Sequence, residues 1–338
     1  MLYHIDLTRM IAGARDTLLL ERRKKSVPRE LLTFLLITMI VSLAQSLVVS
    51  VCTAAIMMQD PKFYELALSG TTDTEALTEY TNALMENLPS WYYAAFIASS
   101  GLMILAAIIY CKKFEKRKSY TMGFCKRGFF TEYLMGMGIG LLMIVLPILA
   151  CIATGSVSIS LSSSINPLMI ALFFGAFLLQ GMGEEVFFRG YLMTTLSRRT
   201  GLWPSIIISA LMFSLLHTGN SAFSFIAFIN IFLFGIFAGV FMMKRGSIWA
   251  VAAIHTVWNF VQGNVFGFNV SGIQKLDSVF TATGAGFGAI LSGGEFGPEG
   301  GLGVTVVLLI ALLGALIMPT KRSEYVEIKK DEDIEVEV

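Results

Sequence analysis

Charge is what this 338-residue chain has least of: 14% of its residues are Asp, Glu, Lys or Arg, against 55% hydrophobic. A soluble domain of that length needs a charged surface that so few residues cannot supply, which excludes an ordinary water-soluble fold. The charge that exists nearly cancels, at +1 net, and leaves no basic surplus with which to hold a nucleic acid. Histidine occurs only three times, as His4, His217 and His255. Cysteine occurs four times, as Cys52, Cys111, Cys125 and Cys151, with no Cys-x-x-Cys pair. Cys52 and Cys151 fall toward one face of the expected topology, so a disulfide between them stands open beside free, packed thiols. No internal repeat is evident, which counts against a transporter built from inverted halves. A cleavable signal peptide is not expected either, because the first apolar run starts late, is too long and lacks a clear cleavage site.

Long apolar runs fill the chain instead, with a mean hydropathy of +0.71. Spanning a bilayer takes about 20 apolar residues in a helix, since only a helix satisfies its own backbone in hydrocarbon. Eight stretches are candidates: 31–58, 91–111, 133–151, 167–196, 202–217, 223–243, 247–266 and 302–318; the fifth and eighth are short, and the fourth is long and holds charges. The expected fold is therefore an all-α, polytopic transmembrane bundle of about eight spans with both termini cytoplasmic. Lysine and arginine support that orientation. Segments 1–30, 112–132, 197–201 (with nearby Arg189), 244–246 and the tail hold all 25 except Lys62 and Lys275. The first outer loop carries Asp60, Glu65, Asp73, Glu75, Glu79 and Glu86 instead. Residues 1–30 read as a cytoplasmic segment whose loosely amphipathic part lies on the inner leaflet or simply flanks the first span. Residues 31–318 read as the membrane domain and 319–338 as a charged cytoplasmic tail. Lysines and arginines of 112–118 need no explanation beyond a basic flank, and the Gly-rich stretch 267–301 reads as a flexible cover of the outer face.

Charged and polar groups at membrane depth are costly, so function is sought there. The first cluster is Gly183-Glu184-Glu185-Val186-Phe187-Phe188-Arg189-Gly190. Glu185 and Arg189 stand four apart and pair on one helix face. One guanidinium needs one carboxylate, so Glu184 is left over; water, substrate or another helix must solvate it, as a general base requires. For Glu185 and Arg189 a structural role and direct chemistry both stand open. The second cluster is Phe213 and His217, again on one face; a lone histidine near a span end is commonly interfacial. The third is His255 and Asn259, four apart and well inside the seventh span, where interhelical hydrogen bonding is the bland alternative. Depth decides whether the three meet. If the run after Glu185 stays in the bilayer, Glu184, His217 and His255 lie about 18, 22 and 12 Å from the inner ends of their helices, differences that tilt absorbs. If the fourth span stops at Met182, they do not meet. The resulting cavity is expected to open to the cytoplasm or sideways into the membrane.

The series Glu-Glu-x-x-x-Arg, Phe-x-x-x-His and His-x-x-x-Asn, standing here as EEVFFR, FSLLH and HTVWN on successive apolar helices, resembles the CPBP family. These are the CAAX-processing and bacteriocin-processing intramembrane proteases, also called Abi proteins. The resemblance covers 120–266, and no motif position departs from the pattern. It implies an intramembrane endopeptidase acting on a membrane-associated protein or peptide. In such an enzyme Glu184 activates the attacking water and His217 helps hold it, while His255 and Asn259 bind the oxyanion. Glu185, Arg189 and Phe213 support them. Cofactor use stays open between none and a single divalent metal: Glu184, His217 and His255 match a catalytic zinc set, and the family is often called metalloprotease. The implied setting is the lipid bilayer of a bacterial plasma membrane. The rival reading is a non-catalytic scaffold or bacteriocin self-immunity factor that keeps these residues for helix pairing. A transporter with a buried ionisable pathway comes third.

Overall fold

The computed structural model describes residues 26–320 apart from 71–72, 127, 274–276 and 285–288. The amphipathic part of 1–30 and the tail beyond 320 lie outside the described residues. In chain order the helices are α1 Val27–Met57, α2 Pro61–Ser69, α3 Thr74–Glu86, α4 Ser90–Phe114, α5 Phe129–Ala153, α6 Pro167–Thr200, α7 Leu202–Leu216, α8 Phe225–Arg245, α9 Trp249–Phe260 and α10 Leu302–Ile317. Every apolar stretch read from the sequence is thus helical. Five of them, α1, α4, α5, α6 and α8, are long and apolar enough to cross a membrane; α7, α9 and α10 are shorter. A π-helical turn, Val261–Val265, lengthens α9.

Local chemistry sets the boundaries. Proline opens α2 and α6, where its missing N–H is one of the orphan donors anyway. Asp60, Asp73, Asn166 and Ser224 cap α2, α3, α6 and α8 by accepting backbone N–H groups. Gly70 and Gly246 end α2 and α8 in the left-handed conformation that glycine adopts freely.

Helix α9 is the centre: every residue from Ala250 to Val257, with Trp258 and Asn259, is buried. Small residues let its neighbours approach backbone to backbone, which is how membrane helices gain packing without a hydrophobic driving force. A Cβ on Gly136 or Gly140 of α5 would meet the Ala250 or Ile254 carbonyl oxygen at 2.2 or 2.6 Å, and one on Gly181 of α6 would meet Thr256 Oγ1 at 2.5 Å. Gly235 of α8 packs on Ala210 of α7 in the same manner. Helix α1 is peripheral and exposes Leu32, Leu36, Ile40, Leu43 and Leu47.

Two expectations change, and one alternative left open by the sequence closes. The described residues of 267–301 are tied down rather than loose. Their strand β2, Phe280–Gly284, pairs antiparallel with β1, Val157–Leu161, after α5. Gln262 and Asn269 donate to the Asn269 and Glu295 carbonyls at 2.8 and 2.6 Å. Arg117, read only as part of a basic flank that needed no explanation, is buried. It donates to Thr194 Oγ1 at 2.8 Å and the Gly190 carbonyl at 3.0 Å, and pairs with Glu115, which also takes Arg198. All four cysteines are free, so Cys52 and Cys151 form no bridge.

Candidate active site

Helix α6 is 34 residues long, about 51 Å at 1.5 Å per residue, and carries Glu184 and Glu185 near its middle. It does not stop at Met182. Directly after Glu185 it widens into a π-helical stretch, Val186–Met193, which disturbs the backbone ladder. Side chains take up carbonyls there: Ser209 of α7 donates to Phe188 O at 2.9 Å, and Thr194 with Arg117 serves Gly190 O.

Helices α6 and α9 run antiparallel and are held in register by polar rungs. Thr256 Oγ1 donates to the Phe177 carbonyl at 3.2 Å, Asn259 Nδ2 to Gln180 Oε1 at 2.9 Å, and His255 Nδ1 to Glu185 Oε1 at 2.9 Å. Glu185 Oε1 also accepts Arg189 Nη1 at 3.0 Å. One buried carboxylate oxygen therefore balances the guanidinium and fixes the imidazole. From α7, the Phe213 carbonyl accepts His217 Nδ1–H at 2.7 Å. A carbonyl only accepts, so His217 carries its proton on Nδ1; a carboxylate paired with Arg189 imposes the same on His255.

Both imidazoles consequently present Nε2 to Glu184. Glu184 Oε2 lies 3.9 Å from His217 Nε2 and 3.8 Å from His255 Nε2. That oxygen is buried and has no hydrogen-bond partner among the described residues. Aromatic rings floor the site. Phe213 lies 4.4 Å below the Arg189 guanidinium and meets the rings of His217 and His255 edge-on, and Phe234 of α8 stands 5.1 Å from the His255 ring. Stacking over a ring face helps hold a desolvated guanidinium.

Six of the seven sequence candidates, Glu184, Glu185, Arg189, Phe213, His217 and His255, form this one cluster. Asn259 stands a turn further along α9, bonded to Gln180 rather than to Glu184, and lines with His217, His255 and Phe213 one small, partly open pocket. The rest of the wall includes Asn230, Phe234, Ser271 and Glu299. The cavity thus extends toward the 267–301 segment, on the side expected to be outer, and not toward the inner loops. Gln180, Phe234 and Glu299 lie outside the motifs. Gln180 had a usable signal, a polar residue in a span one turn before Glu184. Phe234 is one of 26 phenylalanines, and Glu299 sits in sequence without periodicity.

The donors suit a divalent metal in kind but not in spacing. Tetrahedral ligands at about 2.0–2.1 Å stand about 3.4 Å from one another, closer than either separation at Glu184. Among the described residues no group of three His, Cys, Asp or Glu side chains is set to hold a metal ion. As they stand, these residues do not fit one.

Fold and site together define the class: an integral membrane helical bundle with a Glu, His, His and Asn constellation buried between its helices. Residues 166–261, which carry all three motifs, match the family model described as Rce1-like, Type II CAAX prenyl endopeptidase Rce1-like. The resemblance read from the motifs is thereby borne out over that segment. No curated protein matches the chain.

Proposed function

We propose that the protein is an intramembrane endopeptidase that hydrolyses a peptide bond of a membrane-associated protein or peptide with a water activated by Glu184. The observation that carries this reading is the buried, unpartnered Glu184 Oε2 facing two imidazole nitrogens at 3.8 and 3.9 Å. Those distances are too long for direct hydrogen bonds and suit a bridging water. In the proposed step the water oxygen attacks the substrate carbonyl carbon and its proton passes to Glu184. His217 steadies the water. His255, protonated on both nitrogens and balanced by Glu185 at Nδ1, donates Nε2–H to the oxyanion, and Asn259 offers its remaining amide N–H. Collapse breaks the C–N bond as Glu184 returns the proton to the departing amine. No metal step is included, because the donors are spaced too widely for one. A bacterial plasma membrane is the proposed location.

One observation favours the scaffold reading: Asn259 with Gln180, and Glu185 with Arg189 and His255, are compensated pairs of the kind that hold helices together. Glu184 has no such partner, and it separates the two readings. Purified parent chain and Glu184→Gln are compared on a reporter peptide in detergent, with and without exhaustive chelation. The substitution is expected to leave the unfolding temperature unchanged and lower turnover by about 10²–10⁴-fold, the usual contribution of a general base. Chelation is expected to leave the parent active. Full activity of Glu184→Gln refutes the proposed role of Glu184.

A further inference from the structure

Glu299 enters the cavity from the 267–301 segment and is fixed from both ends. Its Oε2 accepts the Ser271 N–H at 2.8 Å and the Ser271 hydroxyl at 2.6 Å. Its backbone carbonyl accepts the Asn230 amide at 2.8 Å, and Asn230, 1% exposed, is itself held by Thr305 Oγ1 at 2.6 Å. Ser271 reaches this position with φ +47°, a left-handed conformation unfavourable for a non-glycine residue. The next residue, Gly272, has φ +84° and lies where a Cβ would meet the Ser221 carbonyl oxygen at 2.3 Å. Such a local cost persists only where the surroundings over-determine it, and here they deliver two donors to one carboxylate.

The balance of charge around the cavity is negative. Among the described residues no Lys or Arg lines it, and no cation is paired with Glu299. Behind the pocket the carboxylates of Glu184 and Glu185 are matched by the Arg189 guanidinium and the doubly protonated His255 of the proposed mechanism, so the Glu299 charge is the one left over. Two hydrogen bonds from Ser271 orient the Glu299 carboxylate without neutralising it.

We propose that Glu299, with Ser271 and Asn230, forms a subsite that takes a cationic group of the substrate, a lysine or arginine side chain or a free amine near the scissile bond. The same charge disfavours a substrate whose terminal carboxylate must enter the pocket. This rests on the cavity being where substrate binds, as proposed above.

The test reads binding, so that it does not depend on turnover. Full-length Glu184→Gln protein in detergent is titrated with fluorescent apolar peptides that differ at one central residue, Lys or Glu, and with C-terminally amidated and free-acid versions of one peptide. The Lys peptide is expected to bind about tenfold more tightly than the Glu peptide, the amide more tightly than the acid, and both preferences to shrink with salt. Glu299→Gln keeps an acceptor for Ser271 and removes the charge, so both preferences should fall to within about twofold. Glu299→Asp, which keeps the charge and shortens its reach, should retain the sign of both; it decides the matter if the glutamine variant unfolds. A preference unaltered by Glu299→Gln, or one favouring the acidic peptide, overturns the proposal. Failure of the proposed hydrolysis would show in the cleavage assay and leave these binding ratios readable.

Discussion

Glu185 and Glu184 are neighbours in sequence with opposite surroundings. Glu185 Oε1 is shared between Arg189 and His255, whereas Glu184 Oε2 is bonded to nothing among the described residues. Substitution should therefore fail differently at the two positions. Glu185→Gln leaves the Arg189 guanidinium buried without its counter-charge, and removing one partner of a buried pair costs about 3–5 kcal/mol. We expect a clear fall in unfolding temperature in detergent. Adding Arg189→Met should restore most of it, because the uncompensated charge is gone, while activity stays low because His255 has lost its orienting carboxylate. If Glu185→Gln were as stable as the parent, the pair would not be structural. The pairing itself was legible in the sequence, because residues four apart share a helix face even where the helix widens. The Nδ1 proton of each histidine was not. It depends on which acceptor faces Nδ1, and for His255 that acceptor comes from another helix.

At the scale of elements, the site exists because α5, α6 and α9 touch through glycine. Gly138 and Gly140 of α5 make this measurable. A Cβ at Gly140 would meet Ile254 O at 2.6 Å, while one at Gly138 meets nothing within 4 Å. Gly140→Ala must push α5 from α9 beside His255, and overpacking of this kind costs about 1–3 kcal/mol. Gly138→Ala should be neutral or slightly stabilising, since alanine loses less backbone freedom than glycine on folding. Thermal unfolding of both variants checks this; equal stabilities would mean that the contact yields easily. The existence and order of the apolar helices followed from hydropathy, and the register of α6 against α9 did not. Glycine spacing shows that a helix has a flat side, but which helix lies against it is a property of the assembled bundle.

For the whole molecule, the distribution of lysine and arginine makes a prediction about orientation. Single reporter cysteines on a cysteine-free background should react with an impermeant thiol reagent in intact cells at Glu79 and not at Lys118. The Lys118 reporter should react only after permeabilisation, and labelling of it in intact cells would invert or refute the topology. The most poorly legible region is 267–301. Its glycines suggested slack, yet positive φ at Gly293 and Gly297 turns the described part from Gly293 to Gly301 sharply, and its Glu299 lines the pocket. Glycine permits both a loose loop and a sharply folded one, and only long-range hydrogen bonds separate them. The enclosure of α9 also bears on the lipid itself. Since Ala250 to Asn259 are buried by protein, the part of α9 that holds His255 is shielded from acyl chains, while α1 turns a column of leucines outward. A thicker or thinner bilayer is therefore expected to act on the exposed rim of this bundle, α1 included, before it reaches the buried stretch around His255.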